Sequence, residues 1–187
     1  MIRLWFALLM LVPAPTLALQ YCEDLWYTRN LAFDRAGFCF GSNLGQAVFG
    51  NDGCVGTDVA PGGRDAPVVA RIKELERIAG CAIDTSQARR LSIPDIAYRA
   101  FMTDLPVATD LESACVGYRG DVLPVRAGRL SDDPVLLEVP RGGMIFYAFE
   151  PVGDWEYVLV YRDDVVIGAG WIDRLVSGES ECEFFAG

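Results

Sequence analysis

The chain has 187 residues, with 16 basic and 26 acidic side chains, a formal net charge of −10 and no histidine. A negative balance of this size argues against nucleic acid or an anionic lipid surface as partner, because both are bound through lysine and arginine. The lack of histidine removes the commonest general base and the usual partner of a catalytic serine or cysteine.

The first eighteen residues predict a secretory signal peptide. Arg3 supplies one positive charge, an apolar run extends from Leu4 to Val12, and cleavage after Ala18 would leave small residues at the expected positions. The apolar run is too short for a membrane span, which needs roughly 20 residues. We therefore expect a periplasmic or secreted protein, cleaved near Ala18 and without a membrane span.

The next part of the chain predicts short helices and loops up to about residue 108. The first helix should begin at Asp24 as N-cap and end at Gly37, with its rings on one broad face. Further helices are predicted within residues 44–49, 66–79 and 94–105.

A polar stripe on the first helix consists of Arg29, Asn30, Asp34 and Arg35. Two interpretations stay open at this point. The stripe either ties the helix to the loop around Asn51 and Asp52, or it forms the polar half of a contact with another envelope component.

The periodicity changes from about Ala114 onwards. Five short runs rich in Val, Ile and aromatic residues follow, separated by turn sequences: 122–128, 134–140, 144–151, 155–161 and 165–172. Five short strands with tight connections predict a small β-barrel.

The segment from Val122 to Leu175 resembles a bacterial SH3-like domain. The resemblance depends on the order of Val125-Arg126-Ala127-Gly128, Pro140-Arg141-Gly142, Asp154-Trp155 and Gly170-Trp171-Ile172. It implies a module, about residues 115–182, that binds cell-wall peptides or other proteins.

The segment of about residues 22–54 resembles the YARHG family of bacterial envelope proteins. Tyr27-Thr28-Arg29-Asn30-Leu31 stands at the position of that family's Tyr-Ala-Arg-His-Gly motif. Thr28, Asn30 and Leu31 depart from the motif, and the missing histidine removes the residue that could suggest acid–base chemistry. The resemblance implies an envelope location.

Together these observations predict an α+β protein. After a signal peptide (1–18), a disulfide-linked helical YARHG-like module (19–110) precedes an SH3-like β-barrel (111–187). Six cysteines in an exported chain indicate up to three disulfides, and the absence of histidine and of CxxC argues against a metal site. We expect Cys115–Cys182 because the two ends of a barrel lie close together, and Cys39–Cys54 with Cys22–Cys81 as the most economical remaining pairs.

The carboxylate pairs of the chain favour turns over catalysis. Asp132-Asp133 and Asp163-Asp164 both fall between predicted strands, where carboxylates are mostly solvated. No phosphate loop, dinucleotide fingerprint or nucleophile elbow is present in the sequence. We expect no enzymatic activity, no metal and no cofactor.

The sequence therefore predicts a non-enzymatic envelope binding protein that recognises a cell-wall peptide or an envelope protein, with preference for a cationic partner. Candidate ligand-binding residues are Tyr147, Tyr161, Trp171, Asp163, Asp164, Asp173, Arg29 and Asn30. The competing interpretation of the three rings is that they form the core of the barrel. Two other functions stay open: an acidic inhibitor of a basic envelope hydrolase, and a carboxylate-dependent wall hydrolase.

Overall fold

The computed structural model describes residues 16–187, with side-chain environments from Leu19 onwards. The signal peptide expected over residues 1–18 lies largely outside this range, and cleavage after Ala18 stays a prediction. In the described residues four helices precede seven strands. The helices are α1 (Thr16–Arg35), α2 (Asn43–Phe49), α3 (Asp65–Ala79) and α4 (Ile96–Arg99), and the strands are β1 (Ala108–Val116), β2 (Pro124–Arg126), β3 (Val135–Glu138), β4 (Met144–Phe149), β5 (Glu156–Arg162), β6 (Val165–Ile172) and β7 (Phe184–Ala186).

The first three helices pack through aromatic and aliphatic side chains. Phe49 of α2 stacks on Tyr27 of α1, with 5.5 Å between ring centroids, and Phe40 stacks on Phe49 at 4.8 Å. The hydroxyl of Ser42 accepts a hydrogen bond from the Gly45 amide and caps α2. The rings of this region therefore belong to a helical core.

The strands form one antiparallel sheet in the order β3-β2-β6-β5-β4-β1-β7. The α+β class is confirmed, but the closed barrel is wrong. Closure requires the two outer strands to pair, whereas here β3 and β7 are separate edges of an open sheet. Two of the seven strands, β1 and β7, lie outside the five runs that the sequence indicated.

The central strand β5 is buried on both faces of the sheet. Val158 and Val160 point to a core that includes the Cys115–Cys182 bridge, while Tyr157 and Leu159 point to the helices. On that second face, Leu25 of α1 and Ile72 of α3 join one cluster with Leu159 and Trp171. Helices and sheet thus share a core, and strand β1 runs across the predicted boundary at residue 110. The division into two modules stays a prediction.

Three disulfides join Cys22 to Cys81, Cys39 to Cys54 and Cys115 to Cys182, the pairs named above. The first ties α1 to the segment after α3. The second closes the loop around α2, and the third holds β1 against the segment that leads into β7. All six cysteines are therefore structural partners, so none is a free nucleophile.

Candidate functional site

A cavity of about 480 Å³ lies between the first turns of α1 and strands β1, β4 and β5. This volume is within the range of small-molecule and side-chain binding sites, roughly 300–1,000 Å³. Its walls are mainly apolar and come from both halves of the chain: Tyr21, Phe146, Ala148, Phe149 and Leu159. The cavity therefore depends on the packing of α1 against the sheet.

A bulge in β1 shapes the rim of this cavity. Pairing between β1 and β4 shifts register between Ala108 and Ser113, so that residues 109–112 of β1 lie opposite Ala148 alone. Bulges of this kind redirect side chains and are frequent beside binding sites. Here the bulge contains Asp110 and Glu112, two exposed carboxylates that line the cavity.

Two further carboxylates, Asp24 and Asp95, form the floor of the cavity. Asp95 is fully buried, and the side chain of Asp24 retains 14% exposure. No lysine or arginine is among the residues that line the cavity in the described part of the chain. The lining is therefore apolar on its walls and acidic at both its floor and its rim.

The floor carboxylates are held by Arg99 of α4, which is fully buried. Its Nη1 donates to Asp24 and to Oγ1 of Thr28 at 2.7 Å, and its Nη2 donates to Asp24 at 2.9 Å and to Asp95 at 2.6 Å. The Nε donates to the second oxygen of Asp95 at 2.9 Å. The guanidinium also lies over the ring of Phe149, 5.0 Å from its centroid.

The charges in this buried cluster do not balance. One guanidinium faces two carboxylates, and the remaining neutral partner, the Tyr157 hydroxyl, donates to Asp95 at 2.7 Å. Burial raises the pKa of the Asp24 carboxyl, and the negative charge of Asp95 acts in the same direction while Arg99 opposes it. Burial likewise raises the pKa of Tyr157, so this hydroxyl remains a donor at neutral pH.

One more ion pair lies close enough to Tyr21, a residue of the cavity lining, for its charges to act on the Tyr21 hydroxyl. Arg71 of α3 contacts Glu150 with 2.6 Å between Nη2 and Oε1. Burial, followed by the charges of Asp110 and Glu150, raises the pKa of the Tyr21 hydroxyl. The basic side chain whose charge acts on Tyr21 is thus already paired with an acid.

The aromatic candidates from the sequence lie elsewhere, and two of them are core residues. Trp171 is fully buried and donates from Nε1 to the Asp104 carbonyl at 2.9 Å. Tyr147 is buried and donates to the Val176 carbonyl at 3.0 Å. Tyr161 is half-buried against Phe146 in an edge-to-face contact. The expectation that Tyr147 and Trp171 form a surface groove is therefore wrong. Both rings are buried in the core, and their polar atoms donate to backbone carbonyls of the same chain.

The acidic candidates are exposed but do not line this cavity. Asp163 and Asp164 form the turn between β5 and β6, with φ of 51° and 61°, and Asp173 follows β6. Ligand binding by these three and by Tyr161 stays a prediction.

Three residues of the polar stripe of α1 form hydrogen bonds within the same chain. Arg29 donates to Glu76 of α3 at 2.9 Å, and Asn30 donates to the carbonyl of Trp26 within α1 at 2.7 Å. Arg35 donates to the Met102 carbonyl at 2.5 Å. Of the two interpretations, the tie to the loop around Asn51 is wrong, because Asn51 bonds the backbone of Phe40 instead. A contact of the stripe with another envelope component stays a prediction.

Sequence reasoning missed the Arg99 cluster. Asp24 was expected to cap the first helix, but α1 begins at Thr16 and Asp24 lies in its interior as an ion-pair partner. The spacing of Asp95 and Arg99, four residues apart beside a predicted helix start, was the available signal. The YARHG-like positions belong to the same region, because Thr28 accepts from Arg99 and Tyr27 donates to the Ile96 carbonyl at 3.2 Å.

Comparison with known families divides the chain in two. A YARHG domain model matches residues 2–77, and a model described as a domain of unknown function (DUF4453) matches residues 80–187. The YARHG resemblance is confirmed, whereas the SH3-like assignment is replaced by the second family. No curated protein and no solved structure matches the chain.

The structure and the family match agree on the cellular setting. Three disulfides and a YARHG domain fit an extracellular protein. Within residues 16–187, none of the helices has both the length and the apolar character to cross a membrane.

Proposed function

The chain belongs to the family described as a domain of unknown function (DUF4453), and on this premise we propose that it is an exported, non-enzymatic binding protein of the cell envelope. It recognises a cell-wall peptide or an envelope protein in the cavity between α1 and the sheet. The observation that carries this proposal is the cavity itself, with its apolar walls and acidic floor and rim.

The position of the cavity supports a role in recognition. Apolar walls contribute binding free energy, and a few placed polar groups determine which ligand is accepted. Phe146 and Leu159 face each other across β4 and β5, which gives one wall a rigid base in the sheet. A partner can therefore insert a side chain or a short segment without remodelling the fold.

The chemistry of the lining supports binding without turnover. General acid–base catalysis by two carboxylates needs one that can exchange a proton with substrate. Asp24 and Asp95 are both tied to Arg99, while Asp110 and Glu112 are exposed to solvent. All six cysteines are bridged and the sequence has no histidine, so the usual nucleophile–base pairs are missing from the chain.

A pull-down with purified peptidoglycan, at low and at high salt, tests this proposal. We expect the native chain to sediment with the polymer in both conditions. Ala148→Phe should abolish this binding, because Ala148 lies on the cavity wall and a benzyl group there fills the space. Ala186→Phe on the exposed strand β7 is the matched control and should bind normally.

Other outcomes would contradict the proposal. If the Ala148→Phe variant still binds peptidoglycan, the cavity is not the site that recognises the cell wall. Capture of a basic protein alone, lost at high salt, would support the acidic inhibitor instead. Turnover of labelled wall fragments that a single Asp→Asn substitution abolishes would establish an enzyme.

A further inference from the structure

We propose that the cavity between α1 and the sheet takes an aliphatic primary ammonium, that is, a positively charged amine on an unbranched apolar stem, as in a lysine-type side chain. This inference deepens the proposed function, on which it rests, by naming the chemical group that the cavity selects. The ammonium lies near the carboxylates and the stem lies along the apolar walls.

The excess of negative charge is the first argument. Arg99 balances one of the two floor carboxylates, so Asp24 and Asp95 together keep a net charge of −1 when both are ionised. Asp24 is the accessible member of the pair, with 14% of its side chain exposed. A carboxylate has about four acceptor positions, so Asp24 can accept from a ligand while its bonds to Arg99 remain.

The bulge of β1 is the second argument. It brings Asp110 and Glu112 to the rim, so that a cation meets carboxylates at the entrance as well as at the floor. The nearby Arg71 is paired with Glu150 and does not neutralise this rim. A carboxylate or phosphate ligand would be repelled by the carboxylates at the rim and by those at the floor of the cavity.

The shape of the apolar part is the third argument. The walls consist of rings and small aliphatic groups, with Phe146, Phe149 and Leu159 on one side and Tyr21 on the other. An alkyl stem buries its methylene groups there, each worth roughly 0.8 kcal/mol of transfer free energy. A small inorganic cation would leave these walls without a partner, so the lining fits a charge and a stem together.

The test is an NMR titration of the native protein with three probes of equal length: hexylammonium, hexanol and hexanoate. We expect saturable shifts for the amides of Ala148, Phe149 and Leu159 with hexylammonium, and at least about tenfold weaker binding of hexanol. Hexanoate should produce no saturable shifts at these amides. Equal binding of hexanol and hexylammonium would overturn the assignment.

Two charge variants make the test specific. Asp110→Asn/Glu112→Gln should weaken hexylammonium binding by about fivefold, the sum expected for two partly exposed ion pairs. Asp132→Asn/Glu179→Gln removes two charges from exposed positions outside the cavity lining and should leave the affinity unchanged. Thermal unfolding of both variants checks that the fold is retained. Unchanged affinity in the first pair, with its melting temperature intact, would overturn the proposal.

The ammonium site and the proposed function fail in different ways. If Ala148→Phe abolishes wall binding but hexylammonium does not bind the native protein, the ammonium assignment is wrong and the function stands. If hexylammonium binds in the expected charge-dependent way but Ala148→Phe leaves binding to peptidoglycan unchanged, the proposed function is wrong and the ammonium site stands.

Discussion

Arg99 uses all five of its N–H donors inside the protein. Two go to Asp24, two to Asp95 and one to Thr28. A buried ion pair adds little net stability when intact, because desolvation offsets the attraction, but losing one partner leaves a buried charge without compensation. The cluster therefore acts mainly as a constraint on how α1, α4 and the sheet meet.

Replacing Arg99 by methionine, which has similar length, should lower the free energy of unfolding by about 3–5 kcal/mol. The reason is that Asp24 and Asp95 would face each other without a cation. Urea unfolding at pH 7 measures the loss. Arg90→Met, on an exposed position without an ion pair in the described part of the chain, is the control and should change stability by less than about 0.5 kcal/mol. A loss of under about 1 kcal/mol in Arg99→Met would contradict the structural role of the cluster.

Asp104 should make stability fall at acid pH. Burial alone would raise the pKa of its carboxyl, but the amide and guanidinium of Arg129, followed by Arg64, lower the pKa below its usual value of 3.8. A carboxyl with a lowered folded pKa contributes stability above its unfolded pKa and loses it as the pH falls through the folded pKa. The loss should therefore appear below about pH 4.

Urea unfolding between pH 5 and pH 2.5 checks this expectation against Asp104→Asn. The variant should be less stable than the native chain at pH 5, and the difference should shrink towards pH 2.5. Asp132→Asn, on an exposed turn, serves as the matched control. A difference that stays constant across this range would show that Asp104 acts through packing and not through its charge.

At the scale of the elements, the sequence predicted the helices and strands that have a clear apolar periodicity within their own segment. Helices α2 and α3 lie within about one residue of the expected ranges, because each has a clear apolar periodicity and an end signal such as Gly80, where φ is 64°. Strand β1 was missed because its sequence, ATDLESACV, places acidic residues in a bulged and exposed stretch. Helix α4 is only four residues long, shorter than the helix expected within residues 94–105.

The candidate site could not be predicted from local patterns. Its walls come from Tyr21 and from Phe146 and Leu159, which are more than a hundred residues apart in the chain. Such a cavity depends on how an amphipathic helix lies on a sheet, and that arrangement has no signal in either segment alone. The disulfide pairs could be predicted from the sequence, because the spacing of the cysteines and the closeness of the two ends of the strand region restrict which cysteines can pair.

The disulfide between Cys115 and Cys182 should contribute more stability than the one between Cys39 and Cys54. The sequence separations are 67 and 15 residues, and the entropy of a closed loop in the unfolded chain grows with its length. We expect losses of about 4 and about 3 kcal/mol for the paired Cys→Ser variants. Urea unfolding of both double variants measures the two losses of unfolding free energy and shows which disulfide contributes more.

Hydrogen exchange gives a second readout on the same variants. Without Cys115–Cys182, the amides of β7 should lose protection, because within residues 16–187 this strand pairs with β1 alone, through three residue positions. Without Cys39–Cys54, β7 should exchange as in the native chain. Retained protection of β7 in the first variant would show that strand pairing alone holds this edge.

At the scale of the whole molecule, the two family matches meet near residue 80 but the core does not divide there. Leu25 and Ile72, from the YARHG part, pack with Tyr157 and Trp171 of the second part. Cys22 is also bonded to Cys81 across the same point. The two matched segments therefore stabilise each other.

A chain of residues 80–187 alone, carrying Cys81→Ser, should fail to form a rigid native state. It would expose the sheet face that α1 and α3 cover and would leave Arg99 without Asp24 and Thr28. We expect weak near-UV circular dichroism and strong binding of a hydrophobic dye, with the chain of residues 19–187 as control. A cooperative unfolding transition with native near-UV signal would instead establish an independent second domain.

The order of the cysteines has a consequence for biogenesis. A chain exported from its N-terminus presents Cys22 and Cys39 to an oxidising compartment before Cys54 and Cys81 arrive, yet the native partner of Cys22 is Cys81. Oxidation in order of emergence would join Cys22 to Cys39, and this bond would have to be exchanged through a mixed disulfide before α1 could be tied to the segment after α3. Maturation of this protein should therefore depend on a disulfide isomerase as well as on an oxidase.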